Sequence, residues 1–410
     1  MLSILKNKKI YVITIISIIL VLFLRLINVL QIENGLGQPL ALIGIVIFLS
    51  TSLFLIQSNI DKNHAKSLLF YKNLDILKFI SSILIIILHI RPFIGFSNEL
   101  DLFFNNIITR FCVPLFFVIT GYFVAKKEDN NRNYIDKYIK KTVLLYLSWS
   151  LIYLPLFIKI VIDNVSLIND VISTVNLPLY LLIILFVILL PFGISILLLY
   201  SGVYYHLWYF PALICSLFVL KKWKERFNYK WLLFISFILL LIGASETYFG
   251  VFNESFQQVL MMYFDVFYTT RNFLFFGLFY ILLGFYLGKR KDCYSSYCFI
   301  KLMISIVCLV FEAIILHDFK RINSNIYLSC IPLVYYLFIS SIYLSNVIKI
   351  KFNFSNYSKY YYLIHPYVIA IVSLFLNKSS VNPFIYIIVV VLFTHLISYS
   401  LLKIKQLKQV

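Results

Sequence analysis

The chain has 410 residues, of which 62% are hydrophobic, 18% aromatic and 13% charged, and its mean hydropathy is +0.93. Soluble domains sit nearer half apolar, so these values exclude a soluble globular enzyme and point to a protein built in lipid. The formal net charge of +19 invites a nucleic-acid partner, but the cations are sorted by membrane side, which excludes that class.

In chain order, the apolar runs predict an all-α, polytopic integral membrane bundle of about 12 transmembrane helices. Two N-terminal helices, near 10–30 and 39–57, form an extension over 1–71. Lys6, Lys8 and Lys9 precede the first, and no small-residue cleavage site follows, so it reads as an uncleaved anchor. A ten-helix membrane domain is expected over 72–410, with spans near 73–90, 107–125, 142–162, 206–220, 231–243, 271–288, 301–316, 326–345, 359–377 and 383–402. The apolar stretch 177–203 is broken by Pro191-Phe-Gly193 and reads as a re-entrant or interfacial helix pair on the outer side, the alternative being a spanning helix that would invert everything downstream.

With both termini in the cytoplasm, 27 of the 36 Lys and Arg fall in inner segments. Four (Arg91, Lys320, Arg321 and Lys378) fall in outer loops, and five lie inside helices. That asymmetry is the positive-inside rule and supports an even number of spans. It places 126–141 and 289–301 inside and 244–270 outside.

The third predicted helix carries the first unusual pattern. Lys78 and His89 are eleven residues apart, so they share one face within about 20° and stand roughly 16 Å apart along the axis. Asp75 and Ser82 join the same stripe. Polar and charged groups in a lipid-soluble helix are costly unless they face a wet cavity or a polar partner, so the stripe marks a functional site. Two plainer readings stand beside it: an i, i+3 pair of Asp75 with Lys78, and a structural hydrogen bond at His89.

Further along, Arg110 opens the fourth helix, and His206-Leu-Trp208-Tyr209 opens the sixth at the outer surface. Such aromatics suit an interfacial belt and equally suit stacking on a sugar. Arg271 opens the eighth helix, Glu312 lies near the outer end of the ninth, and His365 precedes Pro366 inside the eleventh. Gly284-x-x-x-Gly288 reads as a helix-packing contact. His64, His317 and His395 read as loop or helix-end residues. The six cysteines and the histidines lack metal-ligand spacing, so no metal is expected.

Several of these segments together resemble a known family. They are Lys78 with His89 after ten intervening residues, then Val113-Pro-Leu-Phe-Phe-Val-Ile-Thr-Gly121. His206-Leu-Trp-Tyr-Phe-Pro-Ala-Leu213, Thr270-Arg-Asn-Phe-Leu-Phe-Phe-Gly277 and Tyr361-Tyr-Leu-Ile-His-Pro366 follow. In this order they resemble membrane acyltransferase family 3 over roughly 72–403, and most nearly the membrane part of the vancomycin-resistance serine racemases. Where that family usually has Arg, this chain has Lys78, which keeps the charge and loses the bidentate fork.

The resemblance implies a bacterial cell-membrane enzyme that moves an acyl group, expected to be acetyl, from cytoplasmic acyl-CoA to a hydroxyl of a surface or lipid-linked glycan. His89 would be base or acyl carrier, and Arg271 would polarise the carbonyl or orient the acceptor. Lys78, with Asp75 and Arg110, would hold the CoA donor. His206, Trp208, Tyr209, Glu312, Tyr362 and His365 would bind the acceptor. The alternative is a transporter of serine or an organic acid on the same membrane domain. The last residue is Val410, and neither a racemase domain nor a hydrolase-like extracellular domain lies within the chain. The expectation is direct acylation of the acceptor or hand-over to a separate extracellular transferase.

Overall fold

A computed structural model describes residues 70–164, 178, 188, 193–224, 226, 228–290, 297–317, 319, 321–343 and 353–407. The predicted helices near 10–30 and 39–57, and most of the predicted re-entrant pair, lie outside the described residues. Within them the protein is all-helical, with no strand.

The helices are α1 (Phe70–Ile90), α2 (Cys112–Glu128), α3 (Tyr134–Asp163), α4 (Tyr209–Trp223), α5 (Tyr229–Ala244) and α6 (Glu254–Phe267). They continue as α7 (Leu278–Lys289), α8 (Cys298–Ile315), α9 (Cys330–Tyr343), α10 (Phe354–Phe375) and α11 (Pro383–Leu407). Each of the ten predicted core spans coincides with one of these. The eleventh, α6, falls in a stretch expected to be loop. Among the described residues, five segments are long and apolar enough to cross a membrane: Lys72–Ile90, Asn98–Glu128, Tyr134–Asp163, Cys298–Ile315 and Pro383–Leu407. Shorter apolar helices accompany them, and the 16 residues of α5 extend only about 24 Å.

The chain divides into two compact units, with the boundary inside α2 after Leu115. The first unit holds the residues up to Leu115, Asp292–Lys320 and Tyr327–Val410. Here α1 packs along α10, α10 along α11, and α8 along α9. Phe79 of α1 wedges against Phe354 and Tyr361 of α10, with ring centroids 5.5 and 5.1 Å apart. Leu74, Ile85 and Ile86 of α1, and Leu363, Ile364 and Val368 of α10, are buried between the helices. In lipid such burial carries no hydrophobic gain, because acyl tails are as apolar as these side chains, so van der Waals packing and hydrogen bonds between helices hold the pair.

The second unit holds Phe116–Lys291 and Arg321–Ile326. Its centre is α7, which is buried nearly all round from Leu278 to Gly288. That matches a sequence with no polar face before Lys289. Backbone meets backbone where α7 crosses α2. A Cβ on Gly284 would collide with the carbonyl of Val118, and one on Gly121 with the carbonyl of Ile281. The expected packing role of Gly284-x-x-x-Gly288 is therefore realised, since only glycine permits this approach.

Three segments that the charge pattern assigns to one membrane side meet at one end of this unit. Lys224 pairs with Glu128 and Lys289 with Asp129, while Lys221 and Asp136 lie 2.5 Å apart. By contrast α3 turns Leu144, Leu147, Leu151 and Ile158 outward, as a lipid-facing helix does.

Candidate functional site

The stripe on α1 is real and its partners come from α10. At its lower end Lys78 Nζ sits 2.5 Å from Asp75 Oδ1, the i, i+3 pair the spacing allowed. The same ammonium donates to Ser355 Oγ at 3.2 Å, and Ser358 Oγ donates to the Lys78 carbonyl at 3.0 Å. Lys78 is thus tied to the start of α10 and remains partly exposed, with 20% of its side chain accessible. Ser82 is fully buried and donates to the Phe79 carbonyl.

One helix end away, His89 lies stacked on His365. The ring centroids are 5.2 Å apart and the planes 20° off parallel. His365 is fully buried, while His89 is partly exposed. Pro366 explains the local geometry, because it has no N–H to continue the helical bond to Tyr362. The His365 ring fills this region: its Nδ1 lies 2.9 Å from the Tyr361 carbonyl. A carbonyl only accepts, so Nδ1 is the protonated nitrogen and Nε2 carries the lone pair of the neutral ring. His365 is thereby fixed in tautomer and orientation beneath His89, and Tyr362 lies against it at 6.1 Å.

His395 corrects the sequence reading. It lies inside α11, not at a helix end, with its Nδ1 2.9 Å from the Tyr361 hydroxyl and its ring stacked on Tyr357 at 5.2 Å. Tyr361 therefore serves both histidines, through its carbonyl to His365 and its hydroxyl to His395.

Arg110 and Glu312 complete this unit. Arg110 Nη2 donates to Asn106 Oδ1 at 2.9 Å and covers the Tyr327 ring at 5.9 Å. Glu312 accepts the N–H groups of Leu328 and Ser329 at 2.6 and 2.7 Å, just ahead of α9. A carboxylate there meets unsatisfied donors and the positive end of the helix dipole. The structure thus supplies the partners of Glu312 that the sequence leaves unnamed.

In the second unit, His206 is buried within an aromatic box, edge-on to Tyr153 at 4.7 Å and near Tyr204 and Tyr205. Tyr209 packs on Phe117 at 4.6 Å. Arg271 lies over the Trp208 ring, with its guanidinium carbon 5.0 Å from the centroid. Trp208 is itself buried, so it acts as a platform for the cation.

The segment carrying Arg271 is held by a residue that sequence reasoning missed. Glu246 is fully buried, and its carboxylate accepts the Thr270 N–H at 2.7 Å and the Asn325 amide at 2.7 Å. The hydroxyls of Thr269 and Thr270 donate to it as well. Asn272 then caps the following helical turn, accepting from Leu274 N–H and Phe275 N–H at 2.9 and 3.1 Å. Tyr200 donates to the Phe267 carbonyl from the other side. A signal existed: Glu246 is the only acid between Lys230 and Glu254, in an apolar run. Among the described residues no three His, Cys, Asp or Glu gather as metal ligands.

The family model described as an acyltransferase domain matches residues 71–403. An amino-acid racemase of Enterococcus faecalis is 26% identical over 310 residues, covering 73% of this chain and 41% of that protein. A serine/alanine racemase of Enterococcus gallinarum is 27% identical over 335 residues, covering 78% and 44%. The chain therefore spans less than half the length of these relatives. No solved structure matches.

Proposed function

The chain belongs to the acyltransferase domain family, and we propose that it is a membrane acyltransferase that moves acetyl from cytoplasmic acetyl-CoA to a hydroxyl of a cell-surface or lipid-linked glycan. The observation that carries this reading is the stacked His89–His365 pair. A fixed, buried imidazole below holds a partly exposed imidazole above in one orientation. That is what a general base or short-lived acyl carrier needs.

In this reading His89 takes the proton of the acceptor hydroxyl as its oxygen attacks the thioester carbonyl, and the thiolate of CoA leaves. Arg271, braced by Glu246 and lying on Trp208 in the second unit, is proposed to supply positive charge to an oxygen of the acceptor. Lys78 holds donor phosphate, with Asp75 and Ser355 fixing its ammonium. If so, Lys78→Arg keeps most activity, and Lys78→Met raises the apparent KM for acetyl-CoA, with kcat little changed. One lost contact to a charged group costs about 1.5–3 kcal/mol, or roughly 10- to 150-fold in affinity. Initial rates over a range of acetyl-CoA check this, and an unchanged KM removes Lys78 from the donor site.

The membrane is proposed to be the bacterial plasma membrane, with both termini inside. Single cysteines in a background without the native six, probed on intact cells with an impermeant thiol reagent, test the orientation. Labelling is expected in 244–270 and not in 289–301, and the reverse pattern overturns it.

The second reading, a carrier of a small amino acid, draws on the matches to proteins named as amino-acid and serine/alanine racemases. Thioester chemistry separates the two. A purified acyltransferase releases free CoA from acetyl-CoA, and a carrier does not.

A further inference from the structure

Helix α6 is built unlike the others. It has 14 residues, too few to span a bilayer, and is begun by Asn253, whose side chain accepts the Phe256 N–H at 3.0 Å. It ends where Tyr268 turns into the left-handed region at φ 58°, its N–H donating to the Phe264 carbonyl at 2.8 Å. Its two faces differ sharply. Glu254, Gln257, Gln258 and Asp265 share one side, and the other side is apolar. Phe264, about 20° from Gln257 around the helix, is buried against the protein, with Leu260 and Tyr263 half-buried beside it. Phe256, Val259, Met262 and Val266 form a stripe that points away, with Met262 72% and Val266 74% exposed.

We infer that α6 lies flat in the bilayer–water interface, its Phe256–Val259–Met262–Val266 stripe in the acyl-chain boundary, and so sets the depth of the 269–272 segment that bears Arg271. This inference does not depend on which acyl group or acceptor the enzyme uses. Lipid is the occupant because α5, the helix before it, is already lipid-facing, with Phe234, Ile235, Ile238, Leu241 and Ile242 exposed up to the end from which the chain turns into α6. An exposed apolar stripe beside a polar face is the pattern of an interfacial helix, although Glu254 and Asp265 stand here in place of the usual Lys and Arg.

The charge on α6 sharpens the claim. It holds Glu254 and Asp265 and no Lys or Arg, so apolar burial alone would seat it, and anionic headgroups would add nothing. The coupling to Arg271 is short. Tyr263 stacks on Phe267 at 4.9 Å, Tyr200 clasps the carbonyls of Phe267 and Thr269, and Thr269 and Thr270 are bound to Glu246. A helix fixed at one depth therefore fixes the segment two residues beyond it.

The test uses the full chain in nanodiscs, lacking its native cysteines, with a nitroxide at Val259, Met262, Val266, Gln258 or Asp265 in turn. Accessibility is read with oxygen, which partitions into lipid, and with a water-soluble nickel chelate. Positions 259, 262 and 266 should favour oxygen, and 258 and 265 should favour nickel. The pattern should be the same in pure phosphatidylcholine and in discs with one-third phosphatidylglycerol. Equal nickel access at all five positions overturns the inference. Protection of 259, 262 and 266 from both reagents also overturns it, because a protein partner would then cover the stripe. A pattern that appears only with phosphatidylglycerol contradicts the apolar seat.

Discussion

Replacing His89 by Gln should cut acetyl transfer by about 10²–10⁴-fold, the usual contribution of a general acid–base group. The amide of Gln has nearly the reach of imidazole but is neither basic nor nucleophilic at neutral pH. Position and packing are thus approximately kept while the chemistry is removed, and His89→Ala should be no better. Membrane insertion should survive both changes, since His89 lies at the end of α1 and is partly exposed. His365 offers the contrast. His365→Phe retains a ring for His89 to stack on and loses the bond to the Tyr361 carbonyl, so it should lower the rate less than His89→Gln. Transfer from labelled acetyl-CoA to the cell-surface fraction, normalised to protein in the membrane, reads all four. Activity within threefold of wild type for His89→Gln would reduce His89 to a structural role.

The largest stability effect should come from Glu246. Its removal in Glu246→Ala strands the buried Thr270 N–H, while the half-buried Asn325 amide keeps the Thr269 hydroxyl at 3.3 Å. The threonine hydroxyls can turn to other acceptors, but the Thr270 N–H cannot. A buried donor left unpaired costs about 1–3 kcal/mol. For a chain of this size that lowers the melting temperature by roughly 1–4 °C. Glu246→Gln should fall between, because its one oxygen can serve Thr270 while its NH₂ faces the Asn325 NH₂. Arg271→Met should leave melting nearly unchanged and lose rate, which separates the bracing residue from the one it braces. A Glu246→Ala protein that melts with wild type would show that the 269–272 segment is held by other means.

Much of this was legible in residues that act along one helix. The runs of Ile, Leu, Val and Phe fixed where the ten core helices lie, because apolar length is nearly sufficient for a segment in lipid. The α1 stripe followed from the helical repeat alone, and Asp75 does pair with Lys78 as its spacing permitted. Gly284 and Gly288 announced a close crossing, although not that α2 was the partner. What stayed hidden is tertiary. No periodicity in α10 says that His365 stacks on a ring of α1, or that Tyr361 reaches His395 on α11. Glu246 went unread because its partners Thr269, Thr270 and Asn325 are distant in sequence and become a binding set only on folding. Helix α6 reads as loop in the sequence because two acids and two glutamines lower its hydropathy below that of a span.

Release of CoA from acetyl-CoA shows whether this chain cleaves an acyl thioester with His89 as the reacting group. Purified wild type and His89→Gln, reconstituted in vesicles with the predicted cytoplasmic face accessible, would be given acetyl-CoA labelled in the acetyl group. Free thiol and the fate of the label would be followed together. The account predicts CoA release by wild type, slow without an acceptor and faster with membrane-derived acceptor. In His89→Gln that release should fall to the background of empty vesicles. No CoA release by folded wild-type protein with acceptor present, or equal release by the two proteins, would contradict it.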